Sequence, residues 1–167
     1  CINPQNGQCW DNMCDNRGSI GIDADGSIIV SSSSFNQDIH RYEAPIPTPI
    51  LGKTYSANHR FFYPPDGHNY PSSEGLFSPR GLVIKNNQLI LADGRKIVFW
   101  NDLISLTNGK PADGYIGVSS FQDEDPWGNG RITADNQNHL WVPRKAQVDV
   151  YNLPVVSGQQ PATQGVL

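Results

Sequence analysis

Apolar residues in this chain fall in short runs separated by turn-forming residues. Between Ser78 and Leu103 the sequence SPRGLVIKNNQLILADGRKIVFWNDL holds three such runs: Leu82 to Ile84, Leu89 to Ala92 and Ile97 to Trp100. Each run is of strand length and dominated by aliphatic, β-branched or aromatic residues, and Asn86-Asn87 stands between the first two where a hairpin turn belongs. The pattern predicts three consecutive strands.

The same pattern recurs. Arg80 to Trp100 lies over Arg131 to Tyr151 without a gap, so that Asn86-Asn87 falls on Gln137-Asn138 and Leu89 to Leu91 on Leu140 to Val142. A looser copy runs from Arg17 to Tyr42, with a hairpin at Asp25-Gly26, a second strand at Ile28 to Val30 and a third at Ile39 to Tyr42. Past each closing aromatic the likeness continues: NGKPADGYIG is echoed by SGQQPATQGVL, which matches Pro111-Ala112 with Pro161-Ala162 and Ile116 with Val166. Each unit therefore ends on a proline-bearing loop and a short fourth strand. Four short antiparallel strands, repeating at roughly fifty to sixty residues, predict the blade of a β-propeller.

Blade packing accounts for the kinds of residue present. Inner strands covered on both faces read as continuous apolar runs, as Leu89 to Leu91 and Ile28 to Val30 do. The third strand of the last unit alternates, which predicts Val148 and Val150 inward and Gln147 and Asp149 outward. The aromatics Tyr42, Trp100 and Tyr151 recur at one repeat position and are expected to fill the wedge between blades. The predicted fold is all-β, a partial propeller of about three four-stranded blades within a ring of about six. The blades cover about 17–55, 78–118 and 130–167, preceded by a cysteine-containing segment, 1–16, and interrupted by an insertion, 56–77. Since closed propellers have roughly 4 to 8 blades, the missing ones are expected from a longer chain or from a second copy.

Composition narrows the function classes. The chain has 167 residues, 37% of them hydrophobic and 17% charged, with Gly 16 and Pro 13 supplying turns. A net charge of -4 offers no basic field for a phosphate backbone, so no nucleic-acid partner is expected. Cys1, Cys9 and Cys14 all lie in the first fourteen residues. Cys9 and Cys14 can close a small disulfide loop, which implies an oxidising, extracellular or periplasmic compartment; zinc is the competing reading, without a second CxxC or a His pair to complete it. Cys1 then reads either as a lipidated first residue, anchoring the protein at an outer membrane or cell surface, or as a cysteine whose partner lies elsewhere.

The order of apolar pair, Asp/Asn turn, apolar strand and closing aromatic, together with the NGKPADGYIG tail, resembles the NHL-type β-propeller repeats of bacterial exported proteins. The resemblance covers Arg17 to Leu167. It is closest in the second unit and loosest in the first, where Ser31 to Ser34 replaces Ala92-Asp93. It implies a scaffold that binds through the loops between blades.

Candidate sites follow from this frame. Arg17, Arg80 and Arg131 precede the innermost strand of their units, so they could ring one channel mouth and hold carboxylate or phosphate, or simply bond backbone carbonyls. The insertion SANHRFFYPPDGHNYPSSEGLF is rich in aromatics; Phe61, Phe62, Tyr63 and Tyr70 are the candidate contacts for a protein partner or a surface polymer. His59 and His68 lack a third ligand, so no metal site is assigned to them. Asp123, Glu124 and Asp125, and likewise Asp23 to Gly26, are the oxygen-rich loops that could take Ca²⁺; solvated turns explain both more simply. No nucleophile elbow, P-loop, haem motif or dinucleotide fingerprint occurs, and no cofactor is expected. Some six-bladed propellers are calcium-dependent lactonases, which makes a channel-mouth hydrolase the alternative to a non-catalytic binding module.

Overall fold

Each repeat folds as a meander of four antiparallel strands: each strand pairs with the next in the chain, and the connector before the fourth strand is longer than a hairpin turn. The computed structural model describes residues 18–31, 39–48, 57–61, 76, 79–93, 96–107, 109–120, 131–144 and 146–166. The first sheet comprises β1 (Ile20–Ile22), β2 (Ile28–Ser31), β3 (Ile39–Tyr42) and β4 (His59–Phe61). The second comprises β5 (Pro79–Lys85), β6 (Gln88–Asp93), β7 (Lys96–Trp100) and β8 (Gly114–Ile116). The third comprises β9 (Thr133–Ala134), β10 (His139–Pro143), β11 (Gln147–Asn152) and β12 (Thr163–Val166). The fold is all-β, with no helix among the described residues. The fourth strand of the first sheet lies inside the aromatic stretch 56–77, where Phe61 pairs with Ile39.

The sheets stack face to face in chain order. Leu82, Leu89, Leu91, Val98 and Trp100 of the second sheet share a core with Ile29 and Ile39 of the first. The intervening residues, Val83, Ile90, Ala92, Ile97 and Phe99, share another core with Leu140, Val142 and Tyr151 of the third. Strand alternation thus sends one set of side chains to each neighbour. Every residue of β6 and β7 is buried as a result. Burial of a large apolar side chain is worth about 1.5–3 kcal/mol, so the second sheet anchors the stack. At the edge where the chain enters each sheet, β5 lies against β1, β2 and β9.

Register corrects three expectations. Leu89 pairs with Trp100, Leu140 with Tyr151 and Ile28 with Tyr42, so the three aromatics occupy one position. The gapless overlay nevertheless fails before β6 and β10. The second sheet turns on two residues, both left-handed, Asn86 (φ 52) and Asn87 (φ 60), whereas the third has a three-residue turn in which only the last, Asn138 (φ 62), is left-handed. The first also uses three, ending on Gly26 (φ 86). Pairing therefore sets Ile84 beside Ala134 in the repeat, so Arg131 corresponds to Gly81 rather than Arg80.

The second correction concerns the fourth strands. Ile97 pairs with Ile116, and its counterpart Val148 pairs with Gly165 rather than Val166. The third is the parity of β11. Asp149 and Tyr151 are buried and Val148 and Val150 only half-buried, the reverse of the alternation read from the sequence. Tyr151 decides this: its place opposite Leu140 puts it in the core shared with the second sheet, and Asp149, two residues earlier, must follow. The buried carboxylate is met by the Arg144 guanidinium and by Gln147 Nε2 at 2.8 Å.

Candidate interaction surfaces

Among the described residues, the second sheet packs against a neighbouring sheet on both faces, and the first and third each pack against it on one. In the first, Ile29 and Ile39 face the second sheet, while Ile20, Ile22, Ile28 and Val30 line the opposite side with His40 and Tyr42 across from them. Ile20 and Ile22 are 65% and 69% exposed. An isolated exposed isoleucine is ordinary, but a contiguous apolar strand face is what interaction surfaces look like.

The third sheet presents its other side. Leu140 and Val142 point into the core, and Trp141 and Pro143 point out, beside Val150 and Val148 of β11. Trp141 is 41% exposed and held in place. Its indole N–H donates to Asp135 Oδ2 at 2.9 Å, the same oxygen that lies 2.9 Å from His139 Nδ1. Asp135 Oδ1 accepts from the backbone N–H groups of Gln137 at 2.8 Å and His139 at 2.9 Å. The His139 N–H chiefly, then the Trp141 indole, the His139 ring and the Gln137 N–H, hold the Asp135 carboxyl well below the usual range against the opposing effect of desolvation. A turn carboxylate thus serves as the mount for an exposed aromatic side chain.

The first hairpin carries a related arrangement without the aromatic. The Ser27 N–H donates to Asp25 Oδ1 at 2.8 Å, and Arg41 Nη2 reaches Asp25 Oδ2 at 3.0 Å and Asp23 Oδ2 at 3.5 Å. These contacts, the Ser27 N–H foremost, lower the Asp25 pKa. The Asp23 to Gly26 stretch is therefore a hairpin turn tied to its own sheet. No group of three His, Cys, Asp or Glu among the described residues is placed to share a metal ion.

A polar cleft of about 480 Å³ opens between β8 and the connector from β11 to β12, lined by Tyr115, Ser119, Arg144, Gln159, Gln160 and Gln164. Much of this lining is committed locally. The Tyr115 hydroxyl donates to the Ser119 carbonyl at 2.8 Å, while Gln159 accepts from the Val156 N–H at 2.9 Å and donates to the Asn152 carbonyl at 3.1 Å. The cleft reads as the seam of a connector braced by its own amides.

Of the residues singled out in the sequence, Arg80 is half-buried in β5 and Arg131 is exposed just before β9, at different register positions. For Phe61 the backbone pairing in β4 is described; Phe62, Tyr63, Tyr70, Arg17, Cys1, Cys9, Cys14, His68 and Asp123 to Asp125 lie outside the described residues. Trp141, Asp135, Ile20 and Ile22 were not singled out. A signal for Trp141 existed: Leu140 to Val142 is apolar at three successive positions, which places apolar side chains on both faces of the strand, and Trp141 is the exposed one.

The fold and these surfaces define an all-β protein of stacked four-stranded meanders, with exposed Ile20 and Ile22 on the first sheet and exposed Trp141 on the third. No family model matches the chain, and no curated protein is detectably similar to it in sequence.

Proposed function

We propose that the chain is a non-catalytic binding scaffold of β-propeller type, built from NHL-like repeats and exported from the cell, whose sheets serve as blades. The observation that supports this best is the head-to-tail stack. The aromatic-bearing faces of the second and third sheets each pack on the opposite face of the sheet before. Such a stack is a rigid frame for the segments that join its strands. The aromatic stretch containing Phe61, Phe62, Tyr63 and Tyr70 is the part offered to a protein partner or a surface polymer, and a disulfide between Cys9 and Cys14 fits an extracellular or periplasmic setting.

The test is direct binding of the purified chain to envelope polysaccharides and outer-surface proteins, compared with a Phe61→Ala/Phe62→Ala double variant. Binding should fall at least about tenfold, the effect of removing about 1.4 kcal/mol of contact, with the far-ultraviolet circular dichroism unchanged. Calcium-dependent turnover of lactones or sugar esters by the same preparation would overturn the reading in favour of a hydrolase.

A further inference from the structure

We propose that the polar cleft between β8 and the connector from β11 to β12 is a second binding site, which takes a short stretch of neutral polysaccharide. This site rests on the surface-polymer reading above, narrows it to uncharged sugars and lies away from the aromatic stretch, so the two assignments can fail separately.

The cleft is built at a joint inside the molecule, and every residue that lines it is described. One wall is β8 with the residues that follow it; the other is the connector. The Gly158 N–H donates to the Tyr115 carbonyl at 3.0 Å and ties one wall to the other. Gln159 is engaged within the connector through Val156 and Asn152, and the Tyr115 hydroxyl is held by the Ser119 carbonyl. The walls are therefore set before a ligand arrives, which reduces the ordering cost of binding. A volume of about 480 Å³ lies within the roughly 300–1,000 Å³ of small-molecule sites.

Charge excludes several ligand classes. Arg144 is the one charged residue in the lining, and its guanidinium meets the fully buried carboxylate of Asp149. An anionic ligand that drew Arg144 away would strand that carboxylate without its counter-charge, a costly state inside a protein. With the pair intact the cleft is formally neutral, and what it offers is amide chemistry.

Gln160 and Gln164 carry that chemistry. Gln164 lies exposed in β12 directly across from Asp149, so it stands on the face that the third sheet turns to the second. Its side-chain amide makes no hydrogen bond among the described residues. Gln160, also exposed, donates one long bond of 3.4 Å to the Gly158 carbonyl, which leaves its Oε1 to accept from a ligand. A primary amide combines two donors with an acceptor, and sugar hydroxyls, each donor and acceptor at once, complement it. The half-buried Tyr115 ring adds an apolar surface for the C–H face of a pyranose. Because the cleft opens to solvent, an internal segment of a polymer can enter without a free chain end.

The experiment is titration calorimetry of the full 167-residue chain with maltohexaose, cellohexaose, mannohexaose and, as the charged control, hexagalacturonate. At least one neutral hexasaccharide should bind, and a Gln160→Ala/Gln164→Ala double variant should weaken it at least about tenfold, the loss of two hydrogen bonds. Both glutamines are exposed, so the circular dichroism of the variant should match that of the wild type. As a second reading on the unaltered chain, the side-chain amide NMR signals of Gln160 and Gln164 should shift as the bound sugar is added. No binding of any neutral hexasaccharide, equal affinity in the double variant, unmoved glutamine signals or a preference for hexagalacturonate would each overturn the assignment. Loss of sugar binding in the Phe61→Ala/Phe62→Ala variant, with the glutamine variant unaffected, would move the sugar to the aromatic stretch and leave the scaffold reading standing. Sugar binding that depends on the glutamines, in a chain whose partners are indifferent to Phe61 and Phe62, would sink the aromatic-stretch assignment and leave this one.

Discussion

Gln88 of β6 clasps Val155, beyond the end of β11, by both of its peptide groups: Gln88 Nε2 donates to the Val155 carbonyl at 2.9 Å, and the Val155 N–H donates to Gln88 Oε1 at 3.0 Å. Gln88 is buried, and its amide also donates to Asn101 Oδ1 at 2.8 Å. One side chain therefore does for two sheets what a ladder pair does within one. A buried polar group left without its partner costs about 1–3 kcal/mol. Gln88→Ala should lower the melting temperature by roughly 4–8 °C, taking about 2 kcal/mol at 2–4 °C per kcal/mol for a chain of this size. A shift under one degree in calorimetry would show that the clasp contributes nothing.

Two strand glycines should respond differently to the same change. A Cβ on Gly114 would meet Phe99 Cζ at 2.5 Å, Phe99 Cε1 at 2.8 Å and Ser157 Cβ at 2.9 Å. A Cβ on Gly21 would meet Leu82 Cδ2 at 2.5 Å and Ile84 Cδ1 at 2.9 Å, the far ends of flexible side chains. The Phe99 ring lies over Gly114, its cross-strand partner, and is itself buried against the third sheet, so it has nowhere to go. Gly114→Ala is expected to destabilise by about 1–3 kcal/mol and Gly21→Ala by clearly less. Equal shifts in the urea midpoint would contradict this account.

The shared turn geometry of the first and third sheets predicts which substitution the first tolerates. Gly26 and Asn138 close equivalent three-residue turns with φ of 86 and 62. Gly26→Asn should therefore cost only a few tenths of a kcal/mol, while Gly26→Ala should cost about 1–2 kcal/mol, the penalty of a left-handed alanine. Thermal melts of the two variants, run side by side, decide the matter.

Acid stability should depend on Asp135. Its folded-state pKa lies below the unfolded value of about 3.9. A group depressed in this direction stabilises the fold fully above about pH 4, and that contribution is lost as the pH falls through the folded value. Asp135→Asn cannot lose a charge, so its urea midpoint should fall less between pH 6 and pH 3 than that of the wild type. Parallel curves would assign acid sensitivity to other carboxylates.

Gly109, Gly117 and Gly158 also take left-handed backbone in the connectors, where sequence punctuation already suggested turns. Much of the fold was readable in this way. The apolar runs, the Asn and Asp-Gly turns and the recurring aromatics are local signals, and strands formed where they pointed: β2, β6, β7, β10 and β11 all contain their predicted runs. The candidate sites were less readable. The aromatics at 61–70 and the cysteines stood out by residue type, but the anchored indole of Trp141 depends on Asp135, six residues away across a turn, and type alone does not reveal that pairing.

The sequence by itself determined the apolar runs of β2, β3, β6, β7, β10 and β11, that they belong to three meanders, and that Tyr42, Trp100 and Tyr151 hold one place. Those properties rest on backbone preference and on contacts between neighbours in the chain. Only the tertiary structure decided the one-residue offset between the second and third sheets, the inward turn of Asp149, the Gln88–Val155 clasp and the exposure of Ile20, Ile22 and Trp141. The physical reason is that β-strand side chains alternate with period two: a single extra turn residue, or one aromatic seated in a neighbouring sheet, flips a whole strand face, and that choice is made by contacts between sheets.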